Sequence, residues 1–243
     1  MESLDIEHHE TLEHIDITQN TKLTYLKCSY AGLTSLDISQ NIELEELFAT
    51  DSPIGTLDIS HNPMLEIVFC LDCDLNTVIV GDNELLRTLY LPINQITGNL
   101  YLSHLSSLNV LSLGSNQLSG LDIQNGNKHQ MGEMVASGSP YLLCIQVDNE
   151  NASRPACNNG SPGWCKDPDA VYSESCTFGL EDNTMNSFVL SPNPSNGVIN
   201  FHHTDANIGA ITVYSISGRK LLHRPLVTNF LGHLFFKKWN VLF

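Results

Sequence analysis

Apolar residues return along the first half of the chain at Ile15, Leu36, Leu57 and Val78, and again at Leu26, Leu47, Val68 and Leu89, each series with a step of 21. Every step holds two half-motifs. Leu23-Thr-Tyr-Leu26-Lys-Cys28 is one, and Leu33-Thr-Ser-Leu36-Asp-Ile38 is the other, which recurs as Ile54-Gly-Thr-Leu57-Asp-Ile59. Apolar and polar positions alternate within each half-motif, so each predicts a short extended segment with one face inward and one toward water. A single coil of this size cannot bury its apolar face, and a fixed step of about 20 to 50 residues marks a stacked solenoid in which neighbouring coils cover one another. The regular spacing runs to about Asp122-Ile123, where Gln124-Asn-Gly-Asn-Lys-His interrupts it. The array is therefore expected to end there, with residues 1–127 forming the solenoid.

The frame Leu86 to Ile96, with Asn94, and the frame Leu108 to Leu118, with Asn116, resemble the leucine-rich repeat, L-x-x-L-x-L-x-x-N/C-x-L, at every anchor. Five such frames can be counted, and their asparagine column reads Ala31, Ser52, Cys73, Asn94 and Asn116. A second column, Asn20, Asn41, Asn62 and Asn83, follows the other half-motif, where short side chains can satisfy backbone groups at a bend. The resemblance implies a mainly β solenoid with coils of 21 or 22 residues and a concave inner sheet of the kind such repeats use for ligands.

Residues 128–180 are expected to form a cap over the last coil, with Tyr141-Leu-Leu-Cys-Ile-Gln-Val147 as one more strand-like run. This segment, with Cys144-Ile-Gln-Val-Asp148 and Tyr172-Ser-Glu-Ser-Cys176, is similar to the cap that follows leucine-rich repeats in secreted bacterial proteins. A linker from Glu181 then leads into a third region, 181–243. Val198-Ile-Asn-Phe201 and Ile211-Thr-Val-Tyr-Ser-Ile216 alternate as strands, with Ser217-Gly-Arg219 as a hairpin signal, which predicts a small antiparallel β unit. Pro192, Asn193, Pro194 and Gly197, together with Tyr214, Gly218 and Arg219 in the run Val213 to Leu222, resemble the C-terminal sorting domain of the bacterial type IX secretion system. That resemblance implies a β-sandwich read by the type IX machinery during export, and a protein secreted or attached at the outer membrane surface. After Leu222 the likeness fails, and the tail is expected to lack the family's final strands, leaving the unit incomplete.

Charge narrows the partners. Asp and Glu number 27 against 11 Lys and Arg, a net charge of −16, which repels nucleic-acid backbones and anionic lipid. No run of 18 apolar residues occurs, so no transmembrane segment is expected. Met1 is followed by Glu-Ser-Leu-Asp-Ile rather than a basic and apolar leader, while Leu4 is already in phase with the later anchors; the start reads as truncated, with a signal peptide lost. Cys28, Cys70 and Cys73 fall within the repeats and are expected to act as small buried hydrophobes. Cys144, Cys157, Cys165 and Cys176 lie in a polar Gly/Asn/Pro-rich stretch and suggest a disulfide framework and oxidising surroundings. Of the three possible connectivities the nested one is expected, Cys144 with Cys176 and Cys157 with Cys165. Zinc is the competing reading, weakened by the lack of C-x-x-C spacing or an intervening histidine among these four.

The candidate site lies on the first half-motif. Its outward residues run Lys27, Phe48, Phe69, Tyr90 and Ser112 on successive coils, beside Tyr25, Glu46, Ile67, Thr88 and Val110. Strands about 4.8 Å apart would bring the three aromatics into contact and form a partly apolar strip for a protein or glycan ligand. A cross-strand ladder that only stabilises the sheet is the alternative. The opposite half-motif carries Asp16, Asp37 and Asp58 in one column, read as a solvated acidic face in preference to a calcium site. Glu7-His8-His9-Glu10 and His14 fall at turns and outward positions, and no metal or cofactor is expected from them. No catalytic order or phosphate-cradling loop occurs, so the expected function is non-catalytic binding or adhesion at the cell surface. An inert spacer, or a fragment of a longer multidomain secreted protein, is the alternative.

Overall fold

One apolar residue flanked by two outward-facing ones makes up almost every short strand of this protein. The computed structural model describes residues 1–126, 131–155, 157 and 163–177, and beyond them the backbone of five strands. Numbered along the chain, the strands of the first unit are β1 (Ser3–Asp5), β2 (Tyr25–Lys27), β3 (Glu46–Phe48), β4 (Thr56–Asp58), β5 (Ile67–Phe69), β6 (Thr77–Ile79), β7 (Thr88–Tyr90), β8 (Thr97–Tyr101), β9 (Val110–Ser112), β10 (Gln117–Asp122), β11 (Glu133–Val135), β12 (Cys144–Gln146), β13 (Trp164–Cys165) and β14 (Val171–Ser173). The contact pattern divides the chain into two units, Met1–Phe178 and Gly179–Phe243.

The front sheet of the first unit has eight parallel strands in the order β1-β2-β3-β5-β7-β9-β11-β13. Their middle positions stack in register, Leu4, Leu26, Leu47, Val68, Leu89, Leu111, Met134 and Trp164. Leu26 through Met134 in this column are fully buried. Burying each such side chain contributes roughly 1.5–3 kcal/mol, which is the solenoid's substitute for a globular core. The back face is assembled from two sheets, β4-β6 and β14-β12-β10-β8.

The array does not stop at Ile123. β11 and β13 extend the front sheet and β12 and β14 extend the back one, so the expected cap is built of further coils, with Met134 standing where Leu111 stood and Ile145 where Leu121 stood. Trp164 and Tyr172 fill the inward slots of the last described coil. Their rings meet edge to face at 5.6 Å, and the Arg154 guanidinium lies 5.0 Å from the Trp164 ring and 4.3 Å from that of Tyr172. A cation laid over two aromatics closes the apolar stack with a charged surface. Burial pushes the Tyr172 phenol above its ordinary pKa, and the nearby Arg154 partly opposes the shift.

Two side-chain ladders replace the hydrogen bonds that turns cannot make. On the back, Asn62 Nδ2 donates to the carbonyls of Ile38 and Asn41, and Asn83 Nδ2 to those of Ile59 and Asn62, repeating the pattern of Asn41 one coil earlier. Beyond the front strands, Ser52 Oγ donates to Cys28 O at 2.7 Å and Asn94 Nδ2 to Cys70 O at 2.8 Å, while Asn94 Oδ1 accepts from the N–H groups of Cys73 and Leu75. The residue before each step of this second ladder is left-handed: His8, Tyr30, Asp51, Asp72, Ile93 and Ser115 have φ between 53° and 58°, and Gly138 has φ 79°. Each non-glycine member of this column costs roughly 1–2 kcal/mol. The N–H of every one from His8 to Ser115 donates to the neighbouring coil, which offsets that cost and holds the turn in register.

In the second unit, β15 (Val189–Ser191), β16 (Val198–His202) and β19 (His233–Phe235) form one antiparallel sheet, and β17 (Ala210–Tyr214) and β18 (Lys220–Pro225) pair antiparallel in another. Past Leu222, β18 continues to Pro225, and β19 pairs with β16. Tyr214 lies at the end of β17, opposite Lys220. Pro192, Asn193, Pro194, Gly197, Gly218 and Arg219 lie outside the described residues.

Candidate functional site: an aromatic strip on the front sheet

Register brings the outward positions of neighbouring front strands side by side, Lys27 with Phe48, Phe48 with Phe69, Phe69 with Tyr90, and Tyr90 with Ser112. Ring centroids lie 5.5 Å apart for Phe48 and Phe69, stacked at 16°, and 5.0 Å apart for Phe69 and Tyr90, tilted at 30°. Tyr25 belongs to the other outward column, yet its ring reaches diagonally to Phe48 at 5.6 Å. The strip therefore has four rings, one more than the column alone gives, because long side chains bridge diagonal neighbours as well as direct ones. Glu46, Ile67 and Thr88 continue Tyr25's column in register, and all are half-buried.

The strip has defined ends. Ser112 is only 3% exposed and ends the row of accessible side chains on that side. Lys27, expected as part of the open surface, is held by Glu7 at 2.6 Å. This contact with Glu7, more than any other, raises the Lys27 pKa and keeps the ammonium charged. Next to the strip on the turn side, the His8 and Tyr30 rings stack at 4.9 Å and 7°. The signal for that pair is their common place in the left-handed column, which is invisible until the turn geometry is known.

Away from the strip, the acidic column is a set of turns. Asp16, Asp37 and Asp58 each accept the N–H two residues on, from Thr18, Ser39 and Ser60. The Thr18 hydroxyl foremost, then its N–H, lowers the Asp16 carboxyl pKa, and hydrogen bonds from Ser39, the backbone one foremost, lower that of Asp37. No group of three or more metal-ligating side chains occurs among the described residues. Between β6 and β8 the back face opens into a cleft of about 200 Å³ lined by Thr77, Val78, Thr97, Asn99 and Leu100. It falls where the back anchors step by 22, from Val78 to Leu100, after steps of 21.

Cysteines divide differently from expectation at one place. Cys70 and Cys73 are fully buried, as the repeat pattern requires, but they form a disulfide with Cα atoms 5.7 Å apart. The left-handed turn at Asp72 folds the chain back so that positions three apart meet. Cys28 is the free cysteine of the described residues; burial pushes its thiol up to about 12, so it is inert at neutral pH. Disulfides also join Cys144 to Cys176 and Cys157 to Cys165, with Cα separations of 5.9 and 5.1 Å.

The strand registers and the two ladders decide the architecture. The chain folds as a leucine-rich-repeat solenoid. No family model matches it, and no curated protein does. Among solved structures, the functional domain of InlJ from Listeria monocytogenes, described as including a cysteine ladder, is similar to this solenoid at 21% identity and a TM-score of 0.45. The likeness covers 71% of this chain, which spans 38% of the length of the InlJ chain. No helix among the described residues is long and apolar enough to cross a membrane.

Proposed function

We propose that this protein is a non-catalytic binding protein of the cell exterior that holds a partner protein against the front sheet. One observation carries the reading: four aromatic rings, Tyr25, Phe48, Phe69 and Tyr90, run in contact across four adjacent coils on an outward face. The four rings are half-buried against one another; an apolar strip left partly open on an outward face suits a contact surface, and large rigid side chains dominate binding energy where a partner covers them. A protein partner is favoured over a glycan because the Phe48 and Phe69 rings are stacked on each other. Sugar stacking needs an open ring face. Three disulfides in the solenoid unit support an oxidising, extracellular setting.

Export belongs to the same reading: the second unit, with two antiparallel sheets, serves as a type IX sorting domain, supported by the Pro192-Asn-Pro194 and Gly218-Arg219 motifs. The test of binding is an array of extracellular proteins and glycans probed with the parent and with Phe48→Ala/Tyr90→Ala. Captured partners should lose about 30-fold or more in affinity, as for central interface aromatics. Equal retention of both proteins removes the strip from consideration, and capture of glycans alone overturns the protein reading.

A further inference from the structure

We infer that the partner segment lying on the aromatic strip is cationic, a stretch of polypeptide bearing lysine or arginine. The inference rests on the proposed binding surface and adds the chemistry of what it binds. Every described lysine and arginine of the solenoid unit is already engaged within the molecule. Lys22 pairs with Glu43, Lys27 with Glu7 and Arg87 with Glu66. Arg154 lies over Trp164 and Tyr172 and donates to the carbonyls of Asn149, Glu150 and Ala152, and Lys166 donates to Ala170 O.

The carboxylates around the strip have no such partner. Glu46 stands two residues before Phe48 on the same strand, and Asp51 and Asp72 follow Phe48 and Phe69 by three in the left-handed turns. None of the three forms an ion pair among the described residues, and the backbone N–H groups of Asp51 and Asp72 are fixed to Leu71 O and Pro92 O. Asp51 and Asp72 thus recur on adjacent coils at strand spacing, where like charges repel. A partner that brings cations relieves this repulsion and gains a second attraction from the aromatic rings. Acidic or phosphorylated partners meet an uncompensated negative rim on a chain of net charge −16.

The experiment uses the full chain and two labelled ten-residue peptides, one alternating lysine with valine and one alternating glutamate with valine, read by fluorescence anisotropy. The lysine peptide should bind at least tenfold more tightly than the glutamate peptide, and its affinity should fall severalfold between 50 and 300 mM salt. Glu46→Gln/Asp51→Asn/Asp72→Asn should weaken it tenfold or more with an unchanged circular dichroism spectrum. Asp16→Asn/Asp37→Asn on the back face, the control for generic attraction, should leave it unchanged. Equal binding of the two peptides, or an equal loss from the back-face variant, overturns the inference. Loss of the lysine peptide in Phe48→Ala/Phe69→Ala, with full retention in the triple neutral variant, overturns the charge assignment while the aromatic surface stands. Retention in Phe48→Ala/Phe69→Ala overturns the strip as the place where the cations bind.

Discussion

The front sheet runs unbroken through eight strands, whereas the back face, built by the same chain with the same spacing of anchors, parts into two sheets between β6 and β8. Equal periodicity has not produced equal burial. The front anchors Leu26, Leu47, Val68 and Leu89 are all fully buried, but of the back anchors Leu57 is, and Ile15, Leu36 and Val78 are only half covered. The front can carry a side-chain surface because its backbone is settled by strand pairing on both sides. Back segments lean instead on the buried asparagines beside them.

The sharpest way to break this distinction is to truncate one anchor on each face. Leu47→Ala should cost about 2–5 kcal/mol, the usual range for a filled core site. Leu36→Ala, half covered to begin with, should cost about half as much or less, since the loss scales with the area already removed from water. Urea unfolding of the two variants measures both. Near-equal losses would mean that the faces contribute alike and that the open back face is of no energetic consequence.

Next in size is the back ladder. Asn62→Ala leaves the carbonyls of Ile38 and Asn41 without their donor in a buried setting, at a cost of about 2–3 kcal/mol. Asn62→Asp should be at least as damaging, because it replaces the donor by a buried carboxylate. If thermal unfolding shows Asn62→Ala within about 0.5 kcal/mol of the parent, as for an ordinary surface change, the ladder is a by-product of stacking and the back face must be held by something else.

Much of this architecture is legible in the order of residues alone, and the exceptions have specific causes. A step of 21 is enough to align Leu26, Leu47, Val68 and Leu89, because coils of equal length stack whatever their turns do. The later coils are hidden because their anchors are spaced differently: Met134 follows Leu111 by 23 residues and Trp164 follows Met134 by 30, and neither is a leucine. The aromatic column is visible, while the place of Tyr25 beside it is not, since a diagonal contact between columns depends on ring orientation. Cys70-Leu-Asp-Cys73 has the spacing of a linked pair, yet the repeat frame assigns both residues to the core. The left-handed turn at Asp72 lets both descriptions hold.

The smallest effect tests how the two faces handle a spare N–H. In the coil of Asn83, where Ile79 takes the place of the aspartate, Asn83 Oδ1 accepts the Gly81 N–H at 2.9 Å; in the coils of Asn41 and Asn62 the equivalent donors, Ser39 and Ser60, turn to Asp37 and Asp58 instead, and the two asparagine oxygens are buried without a partner. Hydrogen bonds from Ser39, the backbone one foremost, lower the Asp37 carboxyl below its ordinary value. A depressed carboxyl stabilises the fold above the unfolded pKa of about 3.9, and that contribution is lost as pH falls through the lower folded value. Asp37 is exposed, so Asp37→Ala should cost only a few tenths of a kcal/mol at pH 7, and less still because Asn41 Oδ1 stands ready to take the Ser39 N–H. The urea midpoints of parent and variant should converge as pH is lowered past the carboxyl range. A gap that widens on acidification would reverse the sign of the argument and show that the aspartate column burdens the back face instead of trimming its turns.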